Sequence, residues 1–317
     1  MPGRRAILIF LVFTSLMVAA SAQTRRDAEE AYNQAREHYI NQDFDRAIAD
    51  YTRAIELSST PDFRKSRRQQ NWNGEWNIAN ADSRSDAILM IDPLTALAFG
   101  GRALARFQKG DSEGAIADCD RAIAINPGLT DVYKNRGVIR WASGNRDGAL
   151  TDFDQLIGKN PRDAQSYDTR GKLRWEMSDF AGALADFDQA IHLDPHHAEF
   201  YCDRGQVRRE KENVNDALSD LDRAIELDPH MTRAYYWRSM IWSDKNDLSR
   251  AVADLTEVIK LSPGLAVAYA NRGLLRLALG KDDEAEKDFS ESLRLDLNLK
   301  QILQQRIEKQ KERRAAR

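Results

Sequence analysis

Apolar and small residues return along most of the 317-residue chain at intervals of 34 positions. One phase of this period holds proline, at Pro93, Pro127, Pro161, Pro195, Pro229 and Pro263. Another holds alanine, at Ala47, Ala115, Ala149, Ala183, Ala217, Ala251 and Ala285. A third holds an aromatic residue, at Phe99, Tyr133, Tyr167, Tyr201, Tyr235 and Tyr269. A fixed period of this length is typical of stacked structural repeats.

Within each period the pattern predicts two helices joined by a short turn. Position 1 of the repeat falls at Ala28, Ala96, Thr130, Ala164, Ala198, Thr232 and Ala266. Helix A then covers positions 1–14, with the aromatic residue at 4 and usually Gly or Ala at 8. Helix B covers positions 18–31, with Ala at 20, often a bulky apolar residue at 24, usually Ala at 27, and Pro at 32, which ends the helix. One hairpin of this kind cannot bury its apolar face alone, so we expect neighbouring hairpins to stack.

The pattern at positions 4, 8, 20, 24, 27 and 32 resembles the tetratricopeptide repeat. Seven units match it, at 28–61, 96–129, 130–163, 164–197, 198–231, 232–265 and 266–299. The resemblance implies an all-α fold over residues 23–299, a right-handed α-solenoid of antiparallel helix pairs. It also implies that helices A line a concave groove that binds peptides. The chain departs from the family because arginine stands at position 7, which gives Arg-Gly in several repeats.

Two segments depart from the repeat pattern. Residues 62–95 keep the phase and end like a helix B, but their first half, which contains Trp72 and Trp76, does not resemble helix A. We interpret this segment as a decayed repeat, with a loop insertion as the alternative; the two tryptophans either contact the groove or lie in the core. Residues 300–317 have no repeat pattern. We expect a basic capping helix there, and a docking tail is the alternative.

Charged residues also recur at fixed phase. Position 7 carries Arg102, Arg136, Arg170, Arg204, Arg238 and Arg272, and position 11 carries Arg106, Arg140, Arg174, Arg208 and Arg276. Position 23 carries Asp50, Asp118, Asp152, Asp186, Asp220, Asp254 and Asp288. Positions 7 and 23 are equally distant from the turn, so we expect them to pair across each hairpin, as in Arg170 with Asp186. Repetition favours a scaffold role over a ligand site; the partner of position 11 stays open.

The groove predicted by the resemblance is lined by positions 2, 5, 6, 9, 12 and 13 of helix A. Side chains there vary from repeat to repeat, as a surface for a heterogeneous ligand requires. The candidate binding residues are Lys134, Asn135, Trp141, Asp168, Lys172, Trp175, Asp203, Tyr236, Trp237 and Asn271. Trp141 and Trp175 are either peptide anchors or packing residues between neighbouring helices. The lysine–asparagine carboxylate clamp of some family members is not expected, because position 9 beside Lys134 is Val138.

The first residues predict a secretory signal peptide, residues 1–22. Arg4 and Arg5 precede an apolar run of 15 residues, and small residues before the bond between Ala22 and Gln23 suit cleavage there. A retained membrane anchor is the alternative, although a spanning helix needs about 20 apolar residues. The absence of an Asn-x-Ser/Thr sequon favours a bacterial periplasm.

The remaining composition excludes several classes of function. A net charge of −3 does not suit general nucleic-acid binding. With only Cys119, expected in the core, and Cys202, expected in the groove, the chain is no disulfide scaffold. His196 and His197 fall in a loop between repeats. No catalytic, cofactor-binding or metal-ligand motif occurs, so we expect neither enzyme activity, nor a cofactor, nor a metal.

We therefore expect an exported adaptor that binds a protein or peptide partner in its groove. The alternative is an envelope structural component held at the membrane by an uncleaved N-terminus. An enzyme or sugar-binding protein that uses the same groove is a third possibility, without any motif to support it. The oligomeric state and the identity of the partner cannot be read from the sequence.

Overall fold

The computed structural model describes residues 3–60 and 93–315, with side chains for residue 20, residues 22–60 and residues 93–315. These residues form helices and connecting turns, with no strand among them. The helices are α1 (Gly3–Ile40), α2 (Phe44–Ser58), α3 (Pro93–Gln108), α4 (Ser112–Ile125), α5 (Thr130–Ala142), α6 (Arg146–Lys159), α7 (Ala164–Glu176), α8 (Phe180–Leu193), α9 (Ala198–Glu210), α10 (Val214–Leu227), α11 (Thr232–Asp244), α12 (Leu248–Leu261), α13 (Ala266–Ala278), α14 (Asp282–Leu295) and α15 (Lys300–Ala315). A short 3₁₀ turn, Leu297–Leu299, precedes α15.

The helices form two compact units, residues 1–161 and residues 162–317. In the first unit α1 pairs with α2, α3 with α4, and α5 with α6; in the second unit the pairs run from α7/α8 to α13/α14. Within each unit the second helix of one pair packs on the first helix of the next pair. This is the all-α solenoid of antiparallel helix pairs that the 34-residue period predicts.

The two helices of each pair approach closely because small residues face bulky ones. Ala183 in α8 is fully buried, as is Phe187 one turn later. A Cβ atom added at Gly171 in α7 would lie 2.9 Å from the ring of Phe187. A side chain at Gly171 would therefore displace Phe187 or push the two helices apart, which is the packing reason for a small residue at position 8.

The turn within each pair has one recurring backbone geometry. Position 15 has a positive φ in all seven described repeats, as glycine at Gly110, Gly144 and Gly280 and as another residue at Gln42, Ser178, Glu212 and Asn246. The next residue caps the second helix in five of them. The side chains of Asp43, Asp111, Asn145, Asp179 and Asp247 each accept a hydrogen bond from a backbone amide three residues later. The predicted turn residues thus fix where helix A ends and helix B begins.

The N-terminal helix continues without interruption past the predicted cleavage bond. Helix α1 spans 38 residues and includes both Ala22 and Gln23. Cleavage there stays a prediction. Among the residues that the structure describes, no helix is both long enough and apolar enough to cross a membrane.

The repeats on either side of the irregular segment contact each other directly. Helix α2 packs on α3, and Thr95 Oγ1 donates a hydrogen bond to Ser58 Oγ at 2.7 Å. Lys109 Nζ lies 3.0 Å from a carboxylate oxygen of Asp45. The interpretation of 62–95 as a decayed repeat, together with Trp72 and Trp76, falls largely on residues 61–92, which lie outside the described residues. The direct contact between the flanking repeats favours the alternative, an insertion.

Candidate functional site

The predicted pairing of positions 7 and 23 is present in the structure. Arg170 Nε and Nη2 donate to the two carboxylate oxygens of Asp186 at 2.9 and 2.6 Å. The same pairing joins Arg102 to Asp118, Arg136 to Asp152, Arg204 to Asp220, Arg238 to Asp254 and Arg272 to Asp288. Each of these aspartates is buried. Bidentate pairs of this geometry hold the two helices in register.

The partner of position 11, left open by the sequence, is the same aspartate. Arg174 Nη1 donates to Asp186 Oδ2 at 2.8 Å, and Arg106, Arg140, Arg208 and Arg276 repeat this contact with their own aspartates. In the first repeat His38 takes the place of arginine, with Nδ1 2.8 Å from Asp50 Oδ2. The aspartate at position 23 therefore compensates the arginines at both position 7 and position 11 inside the hairpins.

The third nitrogen of the position 7 guanidinium reaches the preceding repeat. Arg204 Nη1 donates to Asp188 at 2.6 Å and Arg238 Nη1 donates to Asp222 at 2.7 Å, both at position 25 of the repeat before. The aromatic ring at position 4 lies over the same guanidinium, as Tyr201 does at 5.6 Å from Arg204. These arginines therefore link neighbouring repeats, which favours the scaffold role over a ligand site.

A different arrangement occupies the face formed by the first helices of the second unit. We call the row α7, α9, α11 and α13 the A-helix face. Lys172 Nζ in α7 lies 2.6 Å from Asp168 Oδ2 and 3.0 Å from Asp203 Oδ2 in α9. Arg233 Nη2 in α11 lies 2.8 Å from Asp203 Oδ1. Three consecutive repeats thus contribute to one charged cluster, and the contact between Lys172 and Asp203 is an ion pair without the alignment of a hydrogen bond.

The carboxylates of this cluster are buried and its cations are partly exposed. Asp168 and Asp203 are 0% and 1% exposed, whereas the side chains of Lys172 and Arg233 are 27% and 44% exposed. Asp168 Oδ1 has no hydrogen-bond partner in the structure. Burial raises the pKa of Asp168 to about 6, although Lys172 lowers it and the charge of Asp203 raises it further. Burial lowers the pKa of Lys172, but Asp203 and Asp168 outweigh it, so that this pKa is raised.

Further contacts on the A-helix face join residues 35 positions apart. Trp175 Nε1 donates to Glu210 at 2.8 Å, and Asn271 Nδ2 donates to the hydroxyl oxygen of Tyr236 at 3.2 Å. Arg209 pairs with Asp244 at 2.8 Å, and its guanidinium lies 5.8 Å from the ring of Trp237. These contacts tie each helix A to the next. Trp175 accordingly makes the inter-helix contact that the sequence left open as the alternative to a peptide anchor.

The candidates in the first unit lie on α5. Lys134 is exposed, Asn135 and Trp141 are partly buried, and Val138 is exposed beside them. Lys134 is therefore an accessible cation, and its role in binding stays a prediction.

Three of the predicted groove residues, and Cys202, are less accessible than expected. Asp168, Asp203 and Asn271 are buried. Asp168 and Asp203 lie in the charged cluster between successive A helices, and Asn271 lies between Tyr236 of α11 and Arg306 of α15. The expectation that Cys202 is exposed in the groove is wrong: it is fully buried beside Ala217 and Leu221, and burial raises the pKa of its thiol to about 11. Cys119 is buried as expected, and burial likewise raises its pKa to about 12.

A pocket of about 360 Å³ lies where the A-helix face meets α15. Helices α11, α12 and α13 supply one wall, and α15 supplies the other through Arg306, Lys309, Gln310 and Arg313. Leu303 anchors α15, because it is buried against Ala270 and Leu274 of α13 and against Phe289 of α14. Sequence reasoning described residues 300–317 as a basic tail but did not single out these side chains. The spacing of three and four residues between Arg306, Lys309, Gln310 and Arg313 indicates one face of a helix, and this pattern could have identified them.

Within residues 3–60 and 93–315, no group of three or more His, Cys, Asp or Glu side chains could hold a metal ion. His197 stacks on Phe200 at 4.2 Å between ring centroids and lies 3.7 Å from a carboxylate oxygen of Asp194. This histidine therefore has a packing role in the loop between two repeats.

Comparison with known proteins places these features in a family. One model of the tetratricopeptide repeat matches residues 83–130, 169–230 and 202–266, and a second model of the same repeat matches 28–61 and 266–299. A search of the curated proteins found no match.

Solved structures of other repeat proteins have a similar fold. A tetratricopeptide repeat protein from Parabacteroides merdae is 17% identical, with a TM-score of 0.61, and the match covers 90% of this chain and 99% of that one. PilW, described as a widely conserved type IV pilus biogenesis factor, is 19% identical, with a TM-score of 0.58 and coverage of 66% and 97%. PilF from Pseudomonas aeruginosa is 16% identical, with a TM-score of 0.55 and coverage of 63% and 91%. At these identities the similarity shows the fold alone.

The family matches together cover more than half of the chain, and the matches of the second model, 28–61 and 266–299, coincide with two of the 34-residue units. The chain belongs to the tetratricopeptide repeat family.

Proposed function

We propose that this protein is a non-enzymatic, exported scaffold that holds a segment of a partner protein against its A-helix face. Tetratricopeptide repeats are generally a non-catalytic, protein-binding fold. The observation that carries the proposal is the contrast between two sets of polar residues. Arginine and aspartate at positions 7, 11 and 23 repeat and satisfy one another, whereas the A-helix face carries different side chains in every repeat.

Side chains of the A-helix face are also ordered by contacts within the protein. They are held by contacts between successive helices, as in Lys172 with Asp203 and Tyr236 with Asn271. A surface ordered in advance loses little conformational entropy on association, which favours binding of an extended segment. The partly exposed Lys172 and Arg233 supply cations, and Tyr236 and Trp237 supply aromatic area.

Site-specific photo-crosslinking in cells tests the location of the interface. A benzophenone amino acid at Trp237 should yield a crosslinked partner, because this partly buried ring belongs to the A-helix face. The same amino acid at Lys260, an exposed position of α12, serves as the matched control and should yield none. Crosslinks of equal yield at both positions, or at Lys260 alone, would contradict the assignment of the A-helix face.

Export is part of the proposal and has its own test. N-terminal sequencing of the protein from the periplasmic fraction should begin at Gln23. A chain that begins before Ala22 and stays in the membrane fraction would instead support the alternative, a structural component held in the envelope by its N-terminus.

A further inference from the structure

The pocket beneath α15 has a strongly one-sided charge. Its lining includes Arg306, Lys309 and Arg313 and contains no Asp or Glu. The whole chain, by contrast, has a net charge of −3. A cluster of like charges around one concavity is unfavourable unless an anion compensates it.

Nearby carboxylates do not neutralise these cations. Asp282 pairs with Arg314, Asp244 pairs with Arg209, and Glu308 lies 3.5 Å from Lys311. Within residues 3–60 and 93–315, Arg306 bonds to the amide oxygen of Asn271 at 3.1 Å, and no ion pair involves Arg306, Lys309 or Arg313.

The wall opposite the cations combines six apolar residues with two serines and two asparagines. Met240 in α11 and Leu274, Leu275 and Ala278 in α13 face the same cavity as the three basic residues. A small inorganic anion would satisfy the charges but would leave this wall in contact with water. The combination suits a ligand with both carboxylates and aliphatic side chains, and the volume is at the lower end of the range for ligand pockets.

We propose that this pocket binds a short acidic segment of a protein partner, with carboxylates toward Arg306, Lys309 and Arg313 and an aliphatic side chain against Met240 and Leu274. The inference rests on the proposed function, because the pocket continues the A-helix face at its C-terminal end. It adds the chemistry of the partner, which the family match does not supply. The basic helix α15 thereby has a binding role as well as a capping role.

Fluorescence anisotropy with two labelled peptides tests this inference on the full chain. One peptide alternates glutamate and leucine, and the other alternates glutamine and leucine. We expect the first to bind at least tenfold more tightly, and its affinity to fall as the sodium chloride concentration is raised. Equal affinities for the two peptides, or no binding of the glutamate peptide, would overturn the proposal.

Two variants separate charge from the docking of α15. Arg306→Gln/Lys309→Gln/Arg313→Gln removes all three cations, and Lys309→Glu/Arg313→Glu leaves the bond between Arg306 and Asn271 intact. Both should weaken binding of the glutamate peptide by about tenfold or more, since several ion pairs are lost together. If only the triple variant weakens binding, the effect comes from displacement of α15 and the proposal fails.

A matched control removes three cations that do not line the pocket. Lys287→Gln/Lys300→Gln/Lys311→Gln changes the net charge equally, and its affinity for the glutamate peptide should stay within twofold of the original. A loss as large as that of the pocket variants would show non-specific attraction and overturn the proposal. Crosslinking at Trp237 separates the proposed scaffold function from the proposed acidic segment. If a partner crosslinks there but the glutamate peptide does not bind, the scaffold function stands and the acidic segment is rejected.

Discussion

Two buried aspartates of α7 and α8 differ in how their charge is compensated. Asp186 accepts from Arg170 on both oxygens and from Arg174 on one of them. Asp168 accepts from Lys172 and Gln165 on Oδ2, and its Oδ1 has no partner. A buried carboxylate with one bare oxygen stays ionised only at a cost. Asp168 therefore contributes to stability in a pH-dependent way.

Asp168→Asn should remove this dependence. The folded-state pKa of Asp168 is raised from 3.8 to about 6, so the folded protein binds the proton more tightly than the unfolded chain does. The resulting stabilisation is present below pH 4 and is lost as the pH rises through 6. Between pH 7 and pH 5 the original protein should gain about 1 kcal/mol of unfolding free energy relative to Asp168→Asn.

Urea denaturation at several pH values measures this difference. Thr169→Val, on the next residue of α7, changes no titratable group and should shift stability by the same amount at every pH. A gap between Asp168→Asn and the original protein that does not change from pH 7 to pH 5 would show that Asp168 does not titrate in this range.

At the scale of single helices, the sequence predicted most of the architecture. Helix A was expected at positions 1–14 and helix B at positions 18–31; α7 and α8 occupy positions 1–13 and 17–30. The pairing of Arg170 with Asp186 was also predicted correctly, because both are equally distant from the turn of one hairpin. Contacts inside one hairpin follow directly from the repeat phase.

Contacts between repeats were harder to predict. Asp168 and Asp203 lie in a charged cluster that includes residues of the next helix A, and the distance and tilt of that helix are not encoded in the phase of the pattern. The ion pair between Asp203 and Arg233 likewise joins α9 to α11. These contacts join different residue types in different repeats. No residue type that recurs at a fixed repeat position therefore predicted them. The sequence therefore predicted the helix face that carries the candidate site. It did not predict the charged cluster on that face.

The turn between the helices of a pair offers a test at this scale. Glu212 has a φ of 60°, in the left-handed region that costs a residue with a Cβ about 1 kcal/mol. Gly110, Gly144 and Gly280 occupy the same position in other repeats. Glu212→Gly should therefore raise the unfolding free energy by about 0.5–1 kcal/mol, measured by urea denaturation.

The reverse change in a neighbouring repeat is the control. Gly144 has a φ of 82° and no atom within 4 Å of an added Cβ, so Gly144→Ala should destabilise through backbone strain alone. If Glu212→Gly destabilises the protein instead, side-chain contacts of Glu212 dominate over the backbone geometry of the turn.

For the whole chain, the repeat 28–61 occupies the place of an immediate neighbour of repeat 96–129. Arginine at position 7 elsewhere bonds to position 25 of the preceding repeat, 16 residues earlier, as Arg238 does with Asp222. Arg102 makes the same contact with Thr52, 50 residues earlier, at 2.9 Å. The difference between 50 and 16 residues is 34, one full period. The repeats 28–61 and 96–129 therefore pack on each other as direct neighbours, although one repeat length of sequence lies between them.

Removal of residues 59–92 should therefore leave the stack intact. The deletion joins Ser58 to Pro93, which restores proline at position 32 and keeps every later residue in phase. The contacts of Arg102 with Thr52 and of Thr95 with Ser58 need no residue from the deleted segment. We expect a midpoint of thermal unfolding within about 2 °C of the full chain, a shift that corresponds to about 1 kcal/mol for a chain of this size. If residues 62–95 instead form a stacked repeat, the deletion removes one set of neighbour contacts, and a loss of several kcal/mol with early exchange of the α2 and α3 amides would show it.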